Sequence, residues 1–304
     1  MNIDYIIPFV DGSDIEFQKV YNKYSPTSKR ESRSRDWDVL KYQLRSIEKF
    51  LPWINNIYIV LSIGETQIPK WLNINNEKIK IVWDWEIVPK GALPTFNSNT
   101  IELYFPKIEG LSEHYLTACD DYLITKPMQK EDFFTEDGKV KLRICRGKFK
   151  RGIYSMSVFN SVRMFNLPIE HKRAVNNTMY YYCAWADHTI TPHLKSYNLK
   201  FLEEHEHKIR SSLTMFRTPI NLTWLIYPLN LRKQGMLVGS TIKGKTYKIF
   251  KDEDIEAIDL NIADVVVIND SYKGKDWLNA KERLREKMNI VLPDKSEFEL
   301  CGSF

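Results

Sequence analysis

Residues 116–124 read LTACDDYLI. An apolar run hands two adjacent carboxylates, Asp120 and Asp121, to what should be the end of a strand, and Tyr122 and Leu123 then resume the apolar pattern. Two like charges side by side are unfavourable unless a cation or a shared proton relieves them. Hard divalent ions take carboxylate oxygens together with nucleotide phosphates, so the pair reads as a metal–phosphate site, with a solvated turn as the ordinary alternative. Upstream, residues 93–102 (LPTFNSNTIE) place Pro94 near a helix start, where Asn97, Ser98 and Asn99 offer capping groups. One cap needs one such residue. Three of them beside the backbone amides of a helix start also suit a phosphate.

Further outward, residues 57–61 (IYIVL) and 79–83 (IKIVW) are short, continuous apolar runs, the mark of strands covered on both faces. Residues 3–9 form another such run that breaks at Asp11-Gly12-Ser13-Asp14. Asp11 therefore stands at a strand's carboxyl end, the edge at which open α/β sheets bind ligands, and Gly12 allows close backbone approach. From Asp36, apolar residues recur at near-helical spacing until Pro52; Arg45 lies within this helix, as a solvated arginine or a phosphate contact. Strands and helices alternating between polar breakers predict an α/β fold with a parallel or mixed sheet.

The 304 residues suffice for one large or two ordinary domains, and 43% hydrophobic with 27% charged residues is a globular composition. No run reaches the length of a membrane span, and Met1-Asn2-Ile3-Asp4 does not begin a secretory signal, which predicts a cytoplasmic protein. Cys119, Cys145, Cys183 and Cys301 form no C-x-x-C pair, which argues against zinc and against a disulfide framework. A net charge of +5 attracts anions without selecting among nucleotides, nucleic acids and membranes.

Residues 22–35 are polar and basic and predict a mobile surface loop. Residues 139–151 (KVKLRICRGKFKR) carry seven basic residues in partial alternation, as an edge strand with a solvated face or as a contact for an anionic acceptor or lipid headgroup. No RNA-recognition sheet or helix-turn-helix pattern is present, so nucleic acid is not an expected partner. Residues 155–231 lack clear strand signals and predict a mostly helical insertion, with Asp187-His188 and Phe216-Arg217 in it. Residues 239–250 alternate around Gly244 as a hairpin, residues 263–268 form a buried strand ending in Asn269-Asp270, and a helix follows over about 276–287.

Together these pieces resemble the Stealth family of sugar-1-phosphate transferases, whose four blocks are matched in order. They are IDYIIPFVDGSD; Asp36-Trp37-Asp38 through LRSIEKFLPWINNIYIV and LPTFNSNTIE to CDDYLI; HTITPHLKSYN followed by MFR; and VVVINDSY with the closing LPDKSEFE. Cys119 stands where the family commonly has Asn, and Met215 where it has Arg. The resemblance implies one catalytic domain over residues 1–304, a Rossmann-like or GT-A-like nucleotide-sugar-binding sheet. It implies transfer of a sugar-1-phosphate from a UDP-sugar to a hydroxyl of a lipid-linked or oligosaccharide glycan in capsular or cell-surface polysaccharide synthesis, with release of UMP. On that reading Asp120, Asp121 and Asp270, beside Asn269, hold Mg²⁺ or Mn²⁺. His188 takes the acceptor proton, and Arg217 braces phosphate. Asp11, Gly12, Arg45, Asn97, Ser98 and Asn99 hold the donor. Two other readings stay open: a metal-dependent glycosyltransferase that releases UDP, and a non-catalytic glycan-binding subunit. Peripheral contact with the inner face of the membrane is also left open.

Overall fold

A computed structural model describes residues 1–25, 35–148, 152–167, 173–175, 178–180, 182–186 and 188–301. Its first half runs β1 (Ile3–Pro8), α1 (Ile15–Tyr24), α2 (Val39–Phe50), β2 (Ile57–Leu61), β3 (Ile79–Trp83), α3 (Asp84–Ile87), α4 (Ser98–Glu102), β4 (His114–Thr117), β5 (Tyr122–Ile124), β6 (Val140–Lys141) and β7 (Ile144–Lys148). The second half runs α5 (Ile153–Met164), β8 (Arg173–Val175), β9 (Thr178–Tyr180), β10 (Tyr182–Ala186), β11 (Thr191–Leu194), α6 (Lys195–Glu204), α7 (Glu206–Arg210), α8 (Ile226–Lys233), β12 (Leu237–Val238), β13 (Gly244–Ile249), α9 (Asp252–Glu256), β14 (Val265–Asp270) and α10 (Trp277–Val291).

The main sheet has the order β11-β4-β1-β2-β3, with β4, β1, β2 and β3 parallel and β11 antiparallel to β4. Strand side chains alternate between faces, and here both faces are covered. Ile3, Tyr5 and Ile7 of β1 and Ile57, Ile59 and Leu61 of β2 pack with Leu40, Leu44 and Ile47 of α2. Ile6, Tyr58 and Val60 point the other way, into a second cluster with Phe201, Leu202, Ile226 and Leu229 from α6 and α8. This two-sided burial is why the strands read as unbroken apolar runs. Each such core side chain contributes about 1.5–3 kcal/mol of burial.

A smaller sheet, β13-β14-β5, has β13 parallel and β5 antiparallel to β14. Ala280, Leu284 and Met288, one helical turn apart on α10, cover it together with Val39 and Tyr42 of α2. Helix α2 thus faces both sheets. The closing segment is fastened to it: buried Arg45 donates from Nε and Nη2 to the Glu299 carboxylate at 2.7 and 2.9 Å, and from Nη1 to Leu292 O.

Several expectations need correction. The stretch 155–231 carries helices α5 to α8 as expected, but β8 to β11 also lie within it and β11 completes the main sheet, so it is not helical throughout. Residues 239–250 are not a hairpin: β12 pairs with β6 and β13 with β14, both parallel. Gly244 is needed for steric clearance, as shown below, and does not mark a turn. Most of the basic 22–35 segment lies outside the described residues, as do residues 149–151 of the second basic run and Asp187. Among the described residues, no helix is long and apolar enough to cross a membrane.

Candidate active site

The acid pair sits where the chain passes from one sheet to the other. On the upstream side Ala118 N–H donates to Ile6 O, extending the β1–β4 ladder; on the downstream side Ile268 N–H donates to Asp121 O at 2.9 Å, opening the β14–β5 ladder. Residues 119–121 are therefore pinned at both ends, and Asn269 and Asp270 follow Ile268 along β14. Both carboxyls are only partly exposed. Burial pushes Asp121 up to about 7. Asp120 is driven well above the usual carboxylate range by burial, then by the charges of Asp121 and Asp36. Asp121 Oδ1 is buried with no hydrogen-bond partner.

Asp36 brings further negative charge. Its carboxyl is raised to about 6 by burial and by Asp38 and Asp11, against the pull of Lys281. Lys281 Nζ lies 2.9 Å from Asp38 and 3.9 Å from Asp36. Asp38, at φ 60°, holds the left-handed conformation that side chains rarely adopt, stabilised where its N–H donates to Asp36 Oδ1. Asp11 keeps its expected place beyond β1. Its backbone is clamped on both sides by the Gln67 amide, and its carboxylate accepts from Ser13 N–H and Oγ–H. The Gly12 carbonyl accepts from Gln18.

The opposite wall is Arg217, which donates from Nη2 to Ser98 Oγ. Glu102 stands one helical turn from Ser98. Burial raises its carboxyl, while Arg217 and a hydrogen bond with Ser98 pull it down. Cys119 joins the two walls. Its thiol is raised by burial and by Glu102, Asp121 and Asp120, with Arg217 opposing, so it is a neutral partner of the site and not a thiolate nucleophile. Tyr154 completes this side; burial, Glu102 and Cys119 all raise its hydroxyl. His188 is exposed. Its ring centroid lies 5.7 Å from that of Tyr122, next to Asp121, and its Nδ1 lies 3.2 Å from Thr246 Oγ1.

The structure thus gathers Asp11, Gly12, Ser98, Asp120, Asp121, His188 and Arg217 around residues 119–122 and the carboxyl end of β1, while Asn269 follows Ile268, whose N–H bonds Asp121 O. Arg45 does not join them, because Glu299 and Leu292 engage its guanidinium. Asn97 is fully buried. It caps α4 and donates to Thr214 O and Asn221 Oδ1, so it holds the loop that carries Arg217 and does not face a ligand. Asn99 is buried beside it, its N–H bonded to Asn97 Oδ1. The Asp270 carboxylate is gripped by Arg35 through two bonds of 2.9 and 3.0 Å, which removes it from the acid pair's ligand set. Glu102, Tyr154 and Lys281 were not singled out by sequence, and Asp36 was named only as the start of a helix and of a matched block, although the Ser98–Glu102 spacing of one helical turn was a signal.

Among the described residues, no group of three or more His, Cys, Asp or Glu side chains forms a metal cage. Two adjacent carboxylates with an orphaned buried oxygen nevertheless suit Mg²⁺ or Mn²⁺. Magnesium usually takes only one or two protein carboxylates, filling its remaining positions with phosphate and water. A cavity of about 630 Å³ lies elsewhere, at the amino-terminal ends of β1 and β4, lined by Met1, Ser112, His114 and Phe134. Ligands of parallel sheets bind at the opposite edge, where the acid pair stands.

Residues 33–142 match the family profile "Stealth protein CR2, conserved region 2". The capsular polysaccharide phosphotransferase WcwK of Streptococcus pneumoniae is 30% identical over 98% of this chain and 99% of its own. The receptor polysaccharide phosphotransferase WefC of Streptococcus oralis is also 30% identical, over the same shares. Of solved structures, the galactosyltransferase LgtC in complex with donor and acceptor sugar analogs aligns over 97% of this chain and 98% of its own, at 12% identity and a TM-score of 0.42. On the strength of the end-to-end relatives and the matched conserved region, this chain is an enzyme, a transferase that belongs to the Stealth family of phosphotransferases.

Proposed function

We propose that the protein transfers a sugar-1-phosphate from a UDP-sugar to a hydroxyl of a glycan, releasing UMP and leaving a phosphodiester, in the assembly of a capsular or other cell-surface polysaccharide. The carrying observation is the pinned Asp120–Asp121 pair with the Arg217–Ser98–Glu102 group on one side and His188 on the other. The names of the relatives support phosphoryl chemistry in polysaccharide synthesis.

Phosphoryl transfer asks for neutralised phosphate charge, an aligned nucleophile and a proton acceptor. Asp120 and Asp121 are the residues that would hold Mg²⁺ or Mn²⁺, and when bound the ion screens the diphosphate. Arg217 binds oxygens of the sugar-bearing phosphate, kept in orientation by Ser98 and Glu102. The acceptor hydroxyl gives its proton to His188 Nε2 as its oxygen bonds to that phosphorus. The phosphorus–oxygen bond to the nucleoside phosphate breaks, and UMP departs with the bond's electrons. Asp11 and Gly12, at the end of β1, face the nucleotide portion.

General-base and charge-stabilising groups each contribute roughly 10²–10⁴-fold in rate. His188→Ala and Arg217→Ala should each lose turnover on that scale while the melting temperature stays near that of the parent. Near-native turnover of either variant overturns its assigned role.

A further inference from the structure

Histidine 188 rests on the face of the small sheet, and one rung of that sheet explains its orientation. Thr246 on β13 is the register partner of Val267 on β14, and Val267 is the partner of Tyr122 on β5. Register partners point to the same face, so Thr246 and Tyr122 flank one position two strands apart, roughly 10 Å at ordinary strand spacing. The imidazole occupies it, with Nδ1 3.2 Å from Thr246 Oγ1 and its ring 5.7 Å from the Tyr122 ring. Gly244, two residues before Thr246 and so on the same face, lets the histidine's own backbone come down onto the sheet. A Cβ built there would overlap His188 O and stand 2.6 Å from Thr189 Cγ2, closer than real contacts allow.

We infer that Thr246 is a positioning residue for His188. Its hydroxyl oxygen accepts the Nδ1–H, which fixes the neutral tautomer with the Nε2 lone pair directed at the acceptor alcohol, and Gly244 makes that placement sterically available. A neutral imidazole carries one N–H, so an acceptor at Nδ1 leaves Nε2 as the base. The inference rests on the reading of His188 as the proton acceptor and adds to it the group that sets the ring's tautomer and angle.

The test compares Thr246→Val, Thr246→Ser, His188→Ala and the Thr246→Val/His188→Ala double variant in steady-state turnover of UDP-sugar and glycan acceptor. Valine keeps the shape and suits a strand, so the fold is retained. Thr246→Val is expected to lower kcat roughly 10- to 100-fold, the scale seen when a partner that orients a histidine ring is removed. Donor KM should stay unchanged, Thr246→Ser should restore most of the turnover, and the double variant should be no slower than His188→Ala alone. Wild-type kcat for Thr246→Val beside an impaired His188→Ala overturns the role of Thr246 only. A further loss on adding Thr246→Val to His188→Ala, or a serine variant as slow as the valine one, also overturns it. Near-native turnover of His188→Ala sinks the proton-acceptor reading itself.

Discussion

Asp121 has been placed where ionisation is costly, and replacing it with the isosteric, uncharged Asn should exchange function for stability. Its carboxyl titrates near 7 in the folded chain against 3.8 for a free aspartate. That difference of about three pH units corresponds to about 4 kcal/mol at 1.36 kcal/mol per unit. Because the group is partly exposed, solvent screening reduces the figure to about half. The acid is held neutral in the fold, so its contribution is fully present below 3.8 and is lost as pH rises through 7. Asp121→Asn removes this loss, while its buried amide needs a partner at a cost of about 1 kcal/mol. At pH 8 and without divalent ions, the variant should gain about 1 kcal/mol, a rise of roughly 2 °C in melting temperature for a chain of this length. At pH 5 the folded carboxyl is protonated but the unfolded one is still ionised, so about a third of the loss persists; the cost of the buried amide offsets it, and the gain should vanish. Scanning calorimetry in chelator at the two pH values measures both, and turnover of the variant should fall roughly 10²-fold or more as the charge that holds the ion is lost. An Asn variant less stable than the parent at pH 8, or a gain equal at both pH values, refutes the reasoning.

Arg45→Met leaves Glu299 buried without its partner, its side chain fully covered; it should destabilise the fold by about 3–5 kcal/mol, seen as a lower denaturation midpoint, with donor KM unchanged. Unaltered stability with a raised donor KM would restore Arg45 to the ligand site. His193 is buried between Thr117 and Asn198 and pushed down to about 3 by burial. It must take up a proton on unfolding, so stability falls as pH drops from about 6.5 towards 3, opposite to the effect of Asp121. His193→Gln should flatten that acid limb by up to about 1.4 kcal/mol per pH unit in denaturant titrations; an unchanged limb removes His193 as its source.

Much of the fold was legible because its strands are covered on both faces. Residues 57–61 read as an unbroken apolar run and are β2 to the residue; residues 79–83, interrupted by exposed Lys80, are β3 at the edge of the sheet. The acid pair was legible because sequence adjacency alone fixes it. Arg45 was misjudged because its partner lies 254 residues away, a pairing no local pattern reveals. Asp270 was misjudged for the same reason, since Arg35 holds it from 235 residues away. Strands β8 to β10 are three to five residues long and embedded among aromatics that also suit helices, so periodicity had too few positions to register them. At Gly244 the glycine signal was real but its cause was tertiary: the loop of His188 crosses above it.

The central claim is that the acceptor oxygen attacks phosphorus and not the anomeric carbon of the donor. Chromatography of the nucleotide released from a UDP-sugar, in the presence of Mg²⁺ and a glycan acceptor, decides it. The account predicts UMP formed in equal amount with a glycan phosphodiester; UDP as the product, with a glycan free of phosphate, would contradict it.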